Sequence, residues 1–191
     1  MSFLIAGLGN IGPDYEGTRH NIGFDVVDAL VYKHGGKFST DRLAAKAEIS
    51  YKGKNITCIK PSTFMNLSGK AVRYWLDKKG ISMDHLLVIT DDIALPLSRF
   101  RLRGNGSDAG HNGLKSLFEE LKTENYPRLR FGIGNHFPRG MQVEYVLGSW
   151  FPEELPLVKI KIEKAVQVIE SFVHTGLERT MNDYNKLVIT L

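Results

Sequence analysis

The stretch Leu86-Leu-Val-Ile-Thr90, followed directly by Asp91 and Asp92, decides the fold class of this chain. Leucine and β-branched residues occupy all five positions without polar alternation, which indicates a strand buried on both faces, as in a largely parallel sheet. The run FLIAGL at residues 3–8 has the same character and ends in Gly9-Asn10. Strands of this kind need helices on both faces of the sheet, so the two runs predict an α/β fold.

Helical and extended patterns alternate along the rest of the chain. Helices are predicted from Asn21 to about His34, over residues 65–79, 114–121 and 152–174, and in a short C-terminal segment. Further strands are predicted at residues 47–51 and 55–60, which form a hairpin, and at 98–103 and 128–133. No linker or repeat interrupts this order. We therefore expect one domain over residues 1–191, a twisted mixed β-sheet surrounded by α-helices.

The composition excludes several classes of protein. The chain has 191 residues and a net charge of +4, and no stretch approaches the roughly 20 consecutive apolar residues that span a bilayer. The N-terminus lacks the basic and extended apolar regions of an export signal. Cys58 is the only cysteine, so no internal disulfide can form. A single thiol also makes a structural zinc site unfavourable. We expect a cytoplasmic protein without a membrane segment.

A cluster of basic residues lies in RFRLR at positions 99–103. Arg99, Arg101 and Arg103 recur at period two, so an extended chain would carry three guanidinium groups on one face. Such a face could bind phosphates. An ordinary strand with one solvated side explains the same pattern, and the residues alone favour that simpler interpretation.

Two glycine-containing motifs resemble nucleotide sites but lack the required context. Residues 7–12, GLGNIG, fit G-x-G-x-x-G after a strand, yet PDYEG at 13–17 extends the loop where a helix would have to begin. SGK at 68–70 resembles the end of a phosphate-binding loop, but Phe64 and Ala71 replace residues that such a loop requires. Metal chemistry has no support either, because no ligand spacing relates the six histidines, at positions 20, 34, 85, 111, 136 and 174.

Polar residues at the ends of the two apolar strands are the candidates for chemistry. Asn10 and Asp91 lie where open α/β sheets bind ligands, at the carboxyl ends of strands, and His20 could reach the same rim. A carboxylate beside an imidazole fixes its tautomer and stabilises the imidazolium, so a His–Asp pair can deprotonate water. Taken singly, His20 is better explained as a helix cap or surface residue, and Asp91 as a turn residue.

Two further asparagines lie in polar or glycine-rich surroundings. Asn66 follows Pro61-Ser-Thr-Phe-Met, and Asn112 lies in Gly110-His-Asn-Gly113. A side-chain amide both donates and accepts, so it can hold a peptide backbone or a carbonyl oxygen without adding charge. A cap of a loop is the simpler explanation of either one. Sequence spacing alone does not bring these asparagines together with Asn10, His20 and Asp91.

Six motifs follow one another between residue 5 and about residue 150: GLGN-x-G-x-x-Y-x-x-TRHN-x-GF, KPSTFMNLSGKAV, DD-x-x-LP, GHNGLKS, RLRFGIG and YVLG. Together and in this order they resemble the bacterial peptidyl-tRNA hydrolases. The resemblance implies an enzyme that hydrolyses the ester between a peptide and the 3′-terminal ribose of tRNA, with no cofactor and no metal. It also implies a monomer whose partner is peptidyl-tRNA.

The resemblance also implies roles for individual residues. His20 would be the general base on water, Asp91 would hold its basic form, and Asn10 would distinguish a blocked peptidyl amine from a free one. Asn66 or Asn112 would hold the oxyanion. Substrate contacts around the ester and the 3′ end of tRNA would come from Tyr15, Phe64, Asn66 and Asn112. Arg101 and Arg130 would clamp a tRNA phosphate. The resemblance therefore favours a functional role for the basic cluster over an ordinary solvated strand.

Four positions depart from the family pattern, and one rival function remains. Ile11 replaces the usual Pro, Thr90 a frequent His, Ala94 a common Asp and Ser98 the usual Gly. None is a proposed catalytic group, so these departures put the geometry of the rim in question and not the reaction. The rival is a non-catalytic RNA-binding homologue of the same fold, against which the intact His–Asp pair argues.

Overall fold

A seven-stranded sheet lies at the centre of the computed structural model, which describes all residues from 1 to 191. The strands are β1 Ser2–Gly7, β2 Ser39–Asp41, β3 Ala44–Tyr51, β4 Lys54–Pro61, β5 Leu86–Asp92, β6 Phe100–Arg103 and β7 Arg128–Gly132. The helices are α1 Ile22–Lys33, α2 Ser68–Lys79, α3 Asn112–Leu121, α4 Gln142–Val146, α5 Leu155–Thr175 and α6 Leu177–Tyr184. The predicted α/β class is confirmed.

The strand order β2-β3-β4-β1-β5-β7-β6 combines both strand directions. β1 pairs in parallel with β4 and β5, and β5 pairs in parallel with β7. The hairpin of β3 and β4 and the edge pair of β6 and β7 are antiparallel. The sheet is therefore mixed, as the hairpin in the sequence predicted.

Two hydrophobic clusters cover the two faces of the sheet. The larger includes apolar residues of α1 and α5, and the smaller includes those of α2 and α3. Residues of β1 alternate between them: Phe3 and Ile5 belong to the larger cluster, and Leu4 and Ala6 to the smaller. Burial on both faces explains why the runs at 3–8 and 86–90 lack polar alternation.

Two short elements had no signal in the sequence. β2 has three exposed residues, and α4 has five residues with only Tyr145 buried. Elements of this length carry too few apolar positions to show a period, and tertiary contacts stabilise them. The basic strand β6 is also shorter than predicted, because it begins at Phe100 and leaves Arg99 in the preceding turn.

The glycines at 7 and 9 bring α1 close to β1. A Cβ atom on Gly7 would lie 2.2 Å from the carbonyl oxygen of Gly23, and one on Gly9 would lie 2.9 Å from the ring of Phe24. α1 begins only at Ile22, so these glycines do not open a helix towards a pyrophosphate. The two glycines instead allow α1 to pack closely against β1.

None of the helices is long and apolar enough to cross a membrane.

Candidate active site

One cleft of about 390 Å³ lies at the carboxyl ends of β1 and β5. The strand order places β1 and β5 side by side, so the residues that follow them meet at one edge of the sheet. Eight of the nine predicted site residues line this cleft: Asn10, Tyr15, His20, Phe64, Asn66, Asp91, Asn112 and Arg130. Arg101 lies on β6, outside the lining.

A hydrogen-bonded group of His20, Asp91 and His111, here called the reactive cluster, occupies the floor of the cleft. His20 Nδ1 lies 2.9 Å from Asp91 Oδ2, and His111 Nε2 lies 2.9 Å from Asp91 Oδ1. The Asp91 side chain is 3% exposed, and those of His20 and His111 are 12% and 9% exposed. A carboxylate this deeply buried needs such donors, and both of its oxygens have one.

The hydrogen bonds fix the tautomer of each imidazole. His111 is the N-cap of α3, and its Nδ1 accepts the backbone N–H groups of Gly113 and Leu114. The His111 proton is therefore on Nε2, which donates it to Asp91. In His20 the Nδ1–H donates to Asp91, and Nε2 has no partner within the protein. The lone pair of Nε2 is available to a molecule in the cleft.

Burial and pairing have opposing effects on the two ionisable partners. Burial alone would lower the pKa of His20, but the charge of Asp91 and its hydrogen bond raise it above the ordinary value of 6.5. Burial alone would raise the pKa of Asp91, but His111 and His20 hold it well below its ordinary range. Asp91 therefore remains a carboxylate throughout the physiological pH range, and His20 is the group that titrates.

Asn10 is 8% exposed and is held in one orientation. Its side-chain oxygen accepts the backbone N–H of Met65 at 2.6 Å, and its backbone exchanges two hydrogen bonds with the side chain of Asn21. The oxygen of the amide is thus occupied, and the NH₂ group has no partner within the protein. Asn10 presents a donor to the cleft.

The rim of the cleft carries exposed aromatic and amide groups. Tyr15 and Phe64 pack edge to face with ring centroids 6.3 Å apart, and Phe64 is 53% exposed. Asn66 lies in a short 3-10 turn before α2, and Asn112 is the first residue of α3; both are exposed. These exposed groups can contact a substrate while the buried reactive cluster keeps its position.

The basic residues near the cleft come from two strands. Arg101 of β6 and Arg130 of β7 are directly paired, and so are Arg103 and Arg128, so all four side chains start from one face of the sheet. Arg99 lies just before β6, and its guanidinium donates to the backbone oxygen of Asn185. We call Arg101, Arg103, Arg128 and Arg130 the arginine stripe.

The members of the arginine stripe differ in accessibility. Arg101 and Arg103 are exposed, whereas Arg128 and Arg130 are 1% and 9% exposed. Arg130 donates to the backbone oxygen of Ser107 at 2.6 Å and lies 3.9 Å from Asp92, while still lining the cleft. The buried pair thus supports the 104–111 loop, and the exposed pair faces solvent.

His111 is the functional candidate that sequence reasoning missed. It lies in the motif GHNG, but Asn112 was selected from that motif and no spacing linked the histidines. Ligand atoms of His20, Asp91 and His111 lie within 4.8 Å of one another, an arrangement that a metal ion could also use. The only signal in the sequence was the motif itself, since 71 and 20 residues separate Asp91 from its two partners.

None of the four departures from the family pattern lines the cleft. Thr90 is fully buried and its hydroxyl has no partner. The backbone N–H of Ala94 bonds to the carboxylate of Asp92, and the carbonyl of Ser98 accepts the N–H of Ile189. Ile11 is 43% exposed. None of the four contacts the reactive cluster through a hydrogen bond.

Comparisons with known proteins agree on one family. The family model described as peptidyl-tRNA hydrolase matches residues 4–190. A peptidyl-tRNA hydrolase of Parabacteroides distasonis is 54% identical over 97% of this chain and 99% of its own length, and that of Alkaliphilus metalliredigens is 42% identical over 96% and 99%. The crystal structure of peptidyl-tRNA hydrolase from Acinetobacter baumannii has a TM-score of 0.92 at 30% identity, covering 97% of this chain and 95% of that one. This chain belongs to the peptidyl-tRNA hydrolase family.

Proposed function

We propose that this chain hydrolyses the ester bond between a peptide and the 3′-terminal ribose of tRNA, using water that His20 deprotonates. The observation that carries this proposal is the orientation of His20: Nδ1 is bound to Asp91 and Nε2 is free towards the cleft. A neutral imidazole in this tautomer can accept a proton from water, and the carboxylate stabilises the imidazolium that results. Asp91 and His111 position the base and need not touch the substrate.

The proposed reaction proceeds in two steps. Water adds to the ester carbonyl as its proton passes to His20 Nε2, which forms a tetrahedral oxyanion. The C–O bond to the ribose then breaks, and the imidazolium returns its proton to the departing 3′ oxygen. The amide of Asn66 or Asn112, both on the rim, would donate to the oxyanion. The products are a free peptide carboxyl group and a tRNA with a free 3′ end.

We propose that Asn10 selects blocked substrates because it presents a donor. An N-acylated substrate has a carbonyl oxygen next to its α-nitrogen that can accept from the Asn10 NH₂ group. A free aminoacyl ester carries an ammonium group with donors only, and two donors facing each other repel. The hydrogen bond from Met65 prevents Asn10 from rotating its oxygen towards the ammonium. Selection would therefore depend on that backbone contact.

Affinity for tRNA would come from the arginine stripe. Arg101 is exposed and directly opposite Arg130, which lines the cleft, so a phosphate between them would receive donors from both strands. Contacts of this kind carry no sequence information and weaken with salt. We propose that the stripe fixes the tRNA body relative to the ester and does not read bases.

We propose that the reaction needs no cofactor and no metal, because water and the side chains of the cleft supply every group that the two steps use. Cys58 is buried and has no second cysteine to pair with, which suits a reducing cytoplasm, where peptidyl-tRNA is made. We propose that the domain, residues 1–191, acts as a monomer.

The direct test compares N-acetylaminoacyl-tRNA with the unblocked aminoacyl-tRNA as substrates. Purified protein should deacylate the first and spare the second, and a transition-metal chelator, with magnesium held constant to keep tRNA folded, should not change the rate. Binding of tRNA without turnover would favour the non-catalytic RNA-binding alternative. Loss of turnover with chelator alone would assign a metal to the reactive cluster.

A further inference from the structure

Arg19 directly precedes His20 in the chain and is almost completely buried, at 2% exposure. Three aromatic rings surround its guanidinium group: those of Tyr145, Phe151 and Trp150, with centroids at 4.1, 4.6 and 5.4 Å. A buried cation requires compensation, and stacking on aromatic faces supplies part of it. The proposed reaction uses neither Arg19 nor these rings.

Polar contacts complete the surroundings of Arg19. Its guanidinium lies 3.0 Å from Glu154 Oε1 and 3.2 Å from the backbone oxygen of Tyr145, to which it donates. Glu154 Oε1 also accepts the backbone N–H of Phe151 at 2.8 Å. The ion pair is buried on both sides, since the side chains are 2% and 12% exposed. A pair with this many fixed partners is specific in geometry as well as charged.

The backbone of the same turn is joined to the segment that follows α4. The N–H of Arg19 donates to the carbonyl of Gly148 at 3.0 Å, and Thr18 forms an isolated β-bridge with Ser149. A Cβ on Gly148 would lie 2.9 Å from the carbonyl of Glu144 and 3.3 Å from the guanidinium, so only glycine allows this approach. The motifs TRHN and YVLG are therefore one structural unit in space.

α4 forms one side of the active-site cleft. Gln142, Val143 and Val146 of this helix, with Leu147 after it, line the cleft beside His20. A helix of five residues has little stability of its own, so its position depends on its anchors. Besides the contacts with Arg19, the side chain of Tyr145 donates to the carbonyl of Ile133 at 2.7 Å.

We propose that Arg19 is a positioning residue that holds the His20 turn and α4 as one unit, and so sets the distance between the base and the apolar side of the cleft. This inference rests on the proposed hydrolysis, since it concerns how the acyl group is placed against His20. Loss of the guanidinium would let α4 shift while Asp91 continues to hold His20. Substrates with a large apolar acyl side chain would suffer most, because they depend on contact with Val143 and Val146.

The test uses R19K, which keeps the charge but not the planar stacking, and E154Q, which keeps an oxygen for the Phe151 N–H. Both proteins would be assayed on N-acetylphenylalanyl-tRNA and N-acetylglycyl-tRNA, with kcat and KM measured separately. We expect R19K to raise KM for the phenylalanyl substrate about 10-fold more than for the glycyl substrate, with a smaller effect of the same sign in E154Q. The acid limb of the pH profile, which reports His20, should not move.

The matched control is E170Q, which removes a remote carboxylate that pairs with Lys33 at 2.8 Å and His34 at 3.1 Å. It should lower the melting temperature without changing the ratio between the two substrates. An equal fall in kcat for both substrates in R19K and E154Q, with KM unchanged, would show a merely structural role and overturn the proposal. Wild-type protein that hydrolyses neither substrate would instead contradict the proposed function.

Discussion

The reactive cluster and the arginine stripe lie on neighbouring strands but differ in how far their charged groups are buried and hydrogen-bonded within the protein. Asp91, at the end of β5, is buried and both of its oxygens have imidazole partners. Arg101, on the edge strand β6, is exposed to solvent. The reactive cluster has its hydrogen-bond partners before any substrate binds, whereas the exposed Arg101 of the stripe is available to an anion.

This difference predicts how each region responds to its surroundings. Charges in a buried, hydrogen-bonded group are little screened by salt, so the reactive cluster should control kcat and its pH dependence. Exposed cations bind phosphate by releasing counterions, so the stripe should control KM and its salt dependence. A substitution in one region should therefore leave the kinetic quantity that the other region controls unchanged.

The largest effect is expected for D91N. The neutral amide cannot stabilise an imidazolium and cannot hold the proton of His20 on Nδ1, so kcat should fall about 10²-fold or more. Asp91 is also what raises the pKa of His20 against burial, so the acid limb of the rate profile should move to lower pH. D77N, an exposed position on α2 that pairs with Arg73, is the control. If the acid limb stays in place in D91N, Asp91 does not control the pKa of the catalytic base.

A smaller effect is expected for R101Q. Removal of one phosphate contact should raise KM about 10-fold with kcat nearly unchanged, and should reduce the slope of log affinity against log salt by about 1. R73Q removes a partly exposed arginine of α2, which pairs with Asp77 away from the cleft, and should leave KM alone. An R101Q protein with normal KM at every salt concentration would remove Arg101 from the tRNA interface.

For H111N we expect a few-fold fall in kcat and a shift in the opposite direction to D91N. Asparagine can still cap α3, but it cannot donate to Asp91 from the position of Nε2. The carboxylate would then act on His20 alone and favour its protonated form, so the acid limb should move to higher pH. A shift to lower pH would show that His111 does not compete with His20 for Asp91.

The smallest effect concerns stability. The pKa of His20 is raised by folding, so its pairing stabilises the protein fully below 6.5 and this stabilisation is lost as pH rises through the folded value. The pKa of Asp91 is lowered by folding, so its contribution is present above 3.8 and is lost as pH falls. H20A should therefore lower the melting temperature by about 2–4 °C more at pH 5 than at pH 8. Equal losses at both pH values would mean that the pair contributes no linked stability.

The sequence predicted the frame of the site because burial leaves a pattern. The apolar runs at 3–8 and 86–90 placed Asn10 and Asp91 at the ends of strands, which the structure confirms as β1 and β5. The family predicted from the motif order is also confirmed. His20 was assigned to the site from the family motifs, because a single polar residue in a loop has no periodicity from which a role can be predicted.

Other features depend on contacts that no local pattern records. The pairing of His111 with Asp91 requires α3 to begin beside β5, and α4 is held by Arg19 from more than 100 residues earlier in the chain. The division of the arginine stripe into exposed and buried members follows from the 104–111 loop, whose carbonyl groups bind Arg128 and Arg130. These features are set by tertiary structure, and period-two spacing at 99–103 could not distinguish them.

The central claim is that His20 activates the hydrolytic water, and single-turnover cleavage of N-acetylaminoacyl-tRNA by H20A tests it most directly. With tRNA binding measured on the same protein, we expect the cleavage rate to fall about 10²-fold or more while the dissociation constant stays within a few-fold of wild type. Imidazole added to the solution should restore part of the rate. Near-normal cleavage by H20A would contradict the account.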